Sequence, residues 1–337
     1  MSGPLVLLGP QRGRPRLSEA LARHGCTGEL AVITAGWRHD EAELEPLRRD
    51  LGDRLTLLPL YSWFDKHCQD DRQLGEAYSS RQQKIIEYKA AYRDQLKHTM
   101  AAVAVMQHRA HHNPALYGPE LQFTHEALRA LDARALHRVN EIRAAVPETA
   151  TPWDRPAVRA HHDYMESVLK RADAVLIAGG HVAVLRNRLF FFGLDVLLPR
   201  VLASGTGIFA WSAGAMALTE RIYLFYDDPP EGEGHAEVLD SGIGLTDRIQ
   251  VFPHATSRLR IEQPDRMSRL VDRLRPSSLV TFEPGAWLEH TAAEGWTDRS
   301  DPGTALAWSS EGHSARAATA FPLPGPRLSP GARTVVP

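Results

Sequence analysis

The stretch GIFAWSAGAMAL, Gly207 to Leu218, joins an apolar run to a string of small, helix-compatible residues with one hydroxyl, Ser212, at the junction. An apolar run of five residues ending in a sharp turn suits a strand buried on both faces, because a strand with one wet face would alternate polar and apolar side chains. Where such a strand turns directly into a helix, the flanking positions must be small, and Ala210 and Gly214 stand two residues before and after Ser212. The turn lifts a side chain out of the sheet at its carboxyl edge, the place where open α/β sheets bind ligands. A serine here is either a plain helix N-cap or a displayed hydroxyl, and the stretch alone leaves both readings open.

Runs of the same kind recur along the chain. LVLLG (5–9), LAVITAG (30–36) and LTLLPL (55–60) precede it, AVLIAGG (174–180) stands just ahead of it, and RIQVFPH (248–254) and LVTFE (279–283) follow. Helix-compatible segments such as RLSEALARHG and ELEPLRRDLGD lie between them, the alternation expected of a mostly parallel α/β sheet with helices on both faces. The alternation breaks between about residues 66 and 165, where Gln, Lys, Glu, Arg, Ala and Leu dominate and two long helices are expected, with Asn113 and Pro114 at the turn between them. This is a helical insertion, suited to a lid, to a dimer surface, or simply to thickening one side of the fold. The expected organisation is one α/β domain over 1–297, interrupted by the insertion, and a Pro/Gly-rich segment over 298–337.

Composition narrows the function classes. A net charge of −2, from 39 basic and 41 acidic residues spread along the chain, speaks against nucleic acid as a main partner and favours a small substrate. The amino terminus has no basic leader, no apolar stretch is long enough for a membrane span, and two cysteines, Cys26 and Cys68, make no disulfide framework, so a cytoplasmic setting is expected. The helical spacing of His108, His111 and His112 lacks the carboxylate that zinc enzymes add at a defined offset, and no metal or cofactor is expected.

A hydroxyl needs a base to become a nucleophile. His254 ends the run RIQVFPH behind a proline, which puts it at the same sheet edge as Ser212. Gly179 and Gly180, after another strand, allow close approach of a ligand and can supply an N–H to a developing oxyanion; a tight turn of any α/β protein would read the same way.

These segments, in this order, resemble the serine peptidase family of the α-aspartyl dipeptidases (peptidase E) and cyanophycinases. The matching stretches are AGGH (178–181), WSAGA (211–215), FPHAT (252–256) and FEPGAW (282–287), with SGIGL (241–245) ahead of the histidine strand. The resemblance implies a three-layer class I glutamine amidotransferase-like (flavodoxin-like) fold and a hydrolase of a peptide or isopeptide bond. It makes Ser212 the nucleophile, His254 the general base and acid, and the N–H groups of Gly180 and Ala213 the oxyanion hole. Glu283 is the preferred orienting acid, because a strand end holds it more rigidly than a Pro/Gly-rich loop would hold the alternative, Asp227. Gly179, His181 and Arg258 would face the substrate, and Arg186 and Arg188 are further basic candidates for an acidic one. His181 stands where the family carries Asn or Asp, which puts aspartyl specificity in doubt. The long insertion marks a divergent branch. A catalytically inactive ligand-binding or assembly protein, and an amidase or transferase acting on a non-peptide amide, are the alternatives; a homodimer is left open.

Overall fold

The computed structural model describes residues 2–145, 151–225, 235–317 and 326–327. Its centre is a seven-stranded sheet built from the short apolar runs. Strands β1 (Leu5–Leu8), β2 (Leu30–Ile33), β3 (Leu55–Leu57), β4 (Ala174–Ile177) and β5 (Gly207–Trp211) run parallel, in the spatial order β1-β5-β4-β2-β3. Two antiparallel strands, β10 (Trp287–Thr291) and β11 (Gly295–Asp298), extend the sheet beyond β1.

The strands show why continuous apolar runs were needed. Val6, Leu8, Leu30, Val32 and Leu176 pack on one face against Leu17 and Leu21 of helix α1 (Leu17–Arg23) and Leu51 of α2 (Glu45–Leu51). Their neighbours Leu5, Leu7, Ala31, Ile33 and Ile177 pack on the other face, against Val168 of α6 (Pro156–Arg171), Leu185 of α7 (Val182–Phe191) and Leu198 of α8 (Leu194–Ala203). With a period of two, a strand feeding two cores must be apolar at every position. The result is the expected three-layer sandwich.

A second sheet holds β8 (Ile249–Pro253) parallel to β9 (Ser278–Phe282), with β12 (Ala305–Trp308) and β13 (Ser314–Arg316) antiparallel beyond. The chain past residue 298 thus contributes strands to the α/β body as far as Arg316. A separate pair, β6 (Arg221–Leu224) and β7 (Glu237–Ser241), is antiparallel, with an irregular register between Ile222 and Tyr223.

Between β3 and β4 the chain forms α3 (Leu60–Asp70), then α4 (Arg72–His112) and α5 (Pro114–Ala144), packed as a hairpin. Asn113 separates them and its Oδ1 accepts from the Leu116 N–H at 3.2 Å, ending one helix and capping the next. Among the described residues no helix is long and apolar enough to cross a membrane. The foot of the hairpin is apolar: Tyr92, Leu96, Leu128 and Ala135 share a buried cluster with Ala213, Met216, Tyr223, Phe225 and Val238.

Candidate active site

Strand β5 ends at Trp211, and Ser212 then takes φ 52° and ψ −120° before the short helix α9 (Ala213–Ala217). A non-glycine residue at positive φ costs energy and persists only where the surroundings enforce it. Here they do. A Cβ on Gly214 would lie 2.2 Å from the Ile177 carbonyl oxygen, and one on Gly179 would lie 2.9 Å from Cβ of Ser212. The turn closes only because both positions lack a side chain. Ser212 stands at the N-cap position of α9, yet its hydroxyl makes no capping bond to the helix. The reading of this serine as a plain cap therefore fails.

Gly180, at φ 121°, crosses over Gly36, the residue pair being so close that a Cβ on Gly180 would fall 2.5 Å from the Gly36 carbonyl oxygen. The His181 N–H donates to that same oxygen at 2.8 Å. Among the described residues the N–H groups of Gly180 and Ala213 have no hydrogen-bond acceptor. Both residues line the same cavity, of about 950 Å³, as Ser212. Unpaired backbone donors beside a cavity are unusual, since most buried N–H groups are paired.

His254 follows Pro253, the last residue of β8, in the left-handed region at φ 58° and ψ 37°. Its N–H donates to the Phe282 carbonyl at 2.9 Å, which ties the turn to the end of β9. Burial lowers the imidazole pKa below the ordinary histidine value, the positive charge of Arg258 lowers it further, and the Glu283 carboxylate opposes both. Glu283 itself accepts the Thr256 N–H at 2.6 Å, so the carboxylate braces the turn of α10 (Ala255–Arg258) immediately after His254. Among the described residues no hydrogen bond joins Ser212 to His254 or His254 to Glu283. Asp227 lies outside the described residues.

The remaining sequence candidates separate. Gly179, His181 and Arg258 line the cavity. The His181 ring accepts the Val184 N–H at 3.3 Å, capping α7. Arg186 does not face the cavity: it is 4% exposed and donates to the Ser241 carbonyl at 2.9 Å, with Asp240 3.3 Å away. Arg188 stacks on Phe64 at 3.6 Å and pairs with Asp65 at 3.4 Å, fastening α7 to α3. Both are spent on packing, so neither is free to meet an acidic substrate.

Other lining residues come from turns that the sequence reading passed over. Arg12 follows β1; Gly36, Trp37 and Asp40 follow β2; and Glu43 and Asp50 stand beside or on α2. The signal that could have found the first four was their place after an apolar run, since every parallel strand ends at the same edge.

The model of peptidase family S51 matches residues 156–293, the part of the chain that carries both glycine turns of the site, Ser212, His254 and Glu283. Over this segment the chain is similar to the members of peptidase family S51. The S51 segment begins at α6 and leaves out β1 to β3 and the α4–α5 hairpin. Among solved structures the chain is similar to a peptidase from an acI-B1 Actinobacterium, at 15% identity and a TM-score of 0.45, covering 94% of this chain and 95% of that one. No curated protein matches the sequence.

Proposed function

We propose that this chain is a serine-dependent hydrolase that cleaves a peptide or isopeptide bond through an acyl-enzyme. The observation that carries the reading is the Ser212 turn: a strained serine without a capping role, on the wall of a cavity that also holds a histidine and two unpaired backbone N–H groups. The match of residues 156–293 to a peptidase family supports the same class of reaction.

In this reading His254 takes the proton of Ser212 Oγ as that oxygen attacks the carbonyl carbon. The N–H groups of Gly180 and Ala213 hold the developing oxyanion, and among the described residues no other acceptor has to be given up for them to do so. His254 then gives the proton to the leaving amine, and a water, deprotonated in turn by His254, releases the acyl group. Burial keeps His254 neutral, and so able to accept a proton, over a wider acidic range than a free imidazole. Glu283 acts by its charge and by bracing the histidine turn through Thr256. The missing hydrogen bond between Ser212 and His254 favours a second reading, a binding protein that kept the turn without the chemistry, although such contacts often tighten only with substrate present.

One experiment separates them. The purified protein is treated with a fluorophosphonate and the adduct located by mass spectrometry, with Ser212→Ala and His254→Ala alongside. Labelling at Ser212 that falls by about 10²-fold or more without His254 is expected, from the usual contribution of a general base. An unlabelled serine in the wild-type protein would sink the hydrolase reading in favour of the binding protein.

A further inference from the structure

Among the described residues no third strand pairs with β7, so the outer backbone groups of its buried Val238 have to be satisfied by something else. Side chains of the helical insertion do this. The Val238 N–H donates to the Tyr92 hydroxyl of α4 at 3.1 Å, and Lys89, one turn earlier on the same helix, donates from Nζ to the Val238 carbonyl. Both polar groups of one residue are thus held by one helix.

Behind them the contacts are charged and closed. The Tyr92 hydroxyl donates to Asp132 of α5 at 2.7 Å, and Arg273 of α11 (Pro264–Leu274) donates to both oxygens of Asp132, at 2.7 and 2.8 Å, and to the Ala236 carbonyl. Burial pushes the Tyr92 phenol pKa up, which keeps its O–H a donor. Further along β7, Arg143 of α5 pairs with Asp240, and Arg186 of α7 with Asp240 and Ser241. Tyr92, Asp132 and Arg273 are each no more than 1% exposed.

Val238 is the Cα partner of Tyr223 across the hairpin. Tyr223, Leu224 and Phe225 line the cavity that holds Ser212, beside Met216 and Val182, and make its wall apolar. The path from insertion to cavity is therefore short: Tyr92 and Lys89 hold Val238, Val238 sets the register of Tyr223, and Tyr223 opens the apolar wall.

We propose that the α4–α5 insertion is a positioning device for substrate, in which Tyr92 and Lys89 fix the β6–β7 hairpin so that its apolar wall accepts an aromatic or large aliphatic group beside the bond to be cleaved. This rests on the hydrolase reading for its chemistry, but not for its geometry. Tyr92 and Lys89 are positioning residues, 1% and 6% exposed, and neither lines the cavity.

The test uses the full chain, with Tyr92→Phe, which removes one oxygen, and Lys89→Met, which keeps the aliphatic stem. Two readouts are taken: hydrogen exchange of the amides of Tyr223 to Phe225, and the rates at which Ser212 is labelled by two fluorophosphonates, one with a short alkyl group and one with an aromatic arm. Faster exchange at Tyr223–Phe225 is expected in both variants. The ratio of aromatic-arm to short-alkyl rates is expected to fall by roughly tenfold, the scale of one misplaced apolar contact in a pocket, with the short-alkyl rate nearly constant. Unchanged protection of Tyr223–Phe225 in folded variants overturns the proposal whatever Ser212 does. Faster exchange with an unchanged ratio of rates overturns it too, leaving the insertion as a cover for a strand edge. A serine that never labels in the unaltered protein instead overturns the hydrolase reading, and the exchange data still decide whether the helices hold the hairpin.

Discussion

The carboxyl edge of the central sheet and the foot of the helical hairpin lie on either side of one apolar cluster, and they are built on opposite principles. Ser212 at the sheet edge, and His254 facing the same cavity from the end of β8 in the second sheet, sit in strained backbone; among the described residues no hydrogen bond joins them, and the N–H groups of the cavity-lining Gly180 and Ala213 have no acceptor. At the foot of the hairpin Asp132, Arg273, Tyr92 and Val238 form a closed set of hydrogen bonds. Groups left unpaired are available for chemistry, whereas groups fully paired define one geometry and hold it. The difference separates the part of the molecule that can react from the part that keeps it in shape.

The strongest way to break that contrast is at the closed set. Asp132→Ala would leave the Arg273 guanidinium buried without its carboxylate, and a loss of about 3–5 kcal/mol in unfolding free energy is expected by urea denaturation. The pair Asp132→Leu with Arg273→Met should recover part of that loss, since apolar residues of similar volume often replace a buried ion pair at little cost. A single variant no less stable than the parent would show that the network is not the closed set described above.

A smaller effect is expected at the sheet edge, where backbone contact rather than charge sets the geometry. Gly214→Ala puts a methyl group 2.2 Å from the Ile177 carbonyl oxygen, and backbone cannot move aside as a flexible side chain can. A destabilisation of about 1–3 kcal/mol follows from overpacking, and labelling of Ser212 should fall by more than the stability loss explains, because α9 starts at the Ala213 N–H directly after the serine. Labelling that survives at the parent rate would separate the turn from the reactivity.

The same contrast accounts for what the sequence revealed. The strands of both sheets that bear the site were legible, because LVLL, LAVI, AVLI and GIFAW each feed two cores and leave no polar gap, and IQVFP is interrupted only by the buried Gln250. The turn residues Gly179, Gly180, Ser212 and Ala213 were legible because a tight strand-to-helix turn constrains residue size locally. Arg186 and Arg188 read as surface candidates, since nothing within a few residues of either foretells Asp240 or Asp65, its partner far away in the chain. The β6–β7 hairpin and β10 to β13 were not anticipated for a related reason: their strands are short, all but ALAW (305–308) are mixed in polarity, and they are stabilised by partners the local pattern does not contain. The long helices and the break between them at Asn113 were legible too, although Pro114 opens α5 instead of lying in the turn, and α5 runs on through Pro119.

The smallest expected effect is also the one that bears most directly on how an unpaired site is tuned. In the proposed mechanism His254 must be neutral to accept a proton from Ser212, so the rate of labelling should fall on the acid side as the imidazole protonates. Burial and Arg258 lower its pKa, so that fall is expected below the ordinary histidine range of about 6.5. Arg258→Ala removes a positive charge that disfavours the imidazolium, so the pKa rises and the acid limb moves to higher pH. Glu283→Gln removes a negative charge that favours the imidazolium, so the limb moves to lower pH. The two variants therefore shift the profile in opposite directions from one wild-type curve. Arg258 is exposed, and its influence crosses a wet cavity, so its shift should shrink in 1 M salt, where the screening length is about 3 Å. The burial contribution has no such salt dependence, and the limb should remain below the free histidine value at any ionic strength. Limbs that did not move at all would mean that neither charge reaches His254, and the low pKa would then rest on burial with the Arg12 charge; limbs that moved in the same direction would break the opposition of Arg258 and Glu283.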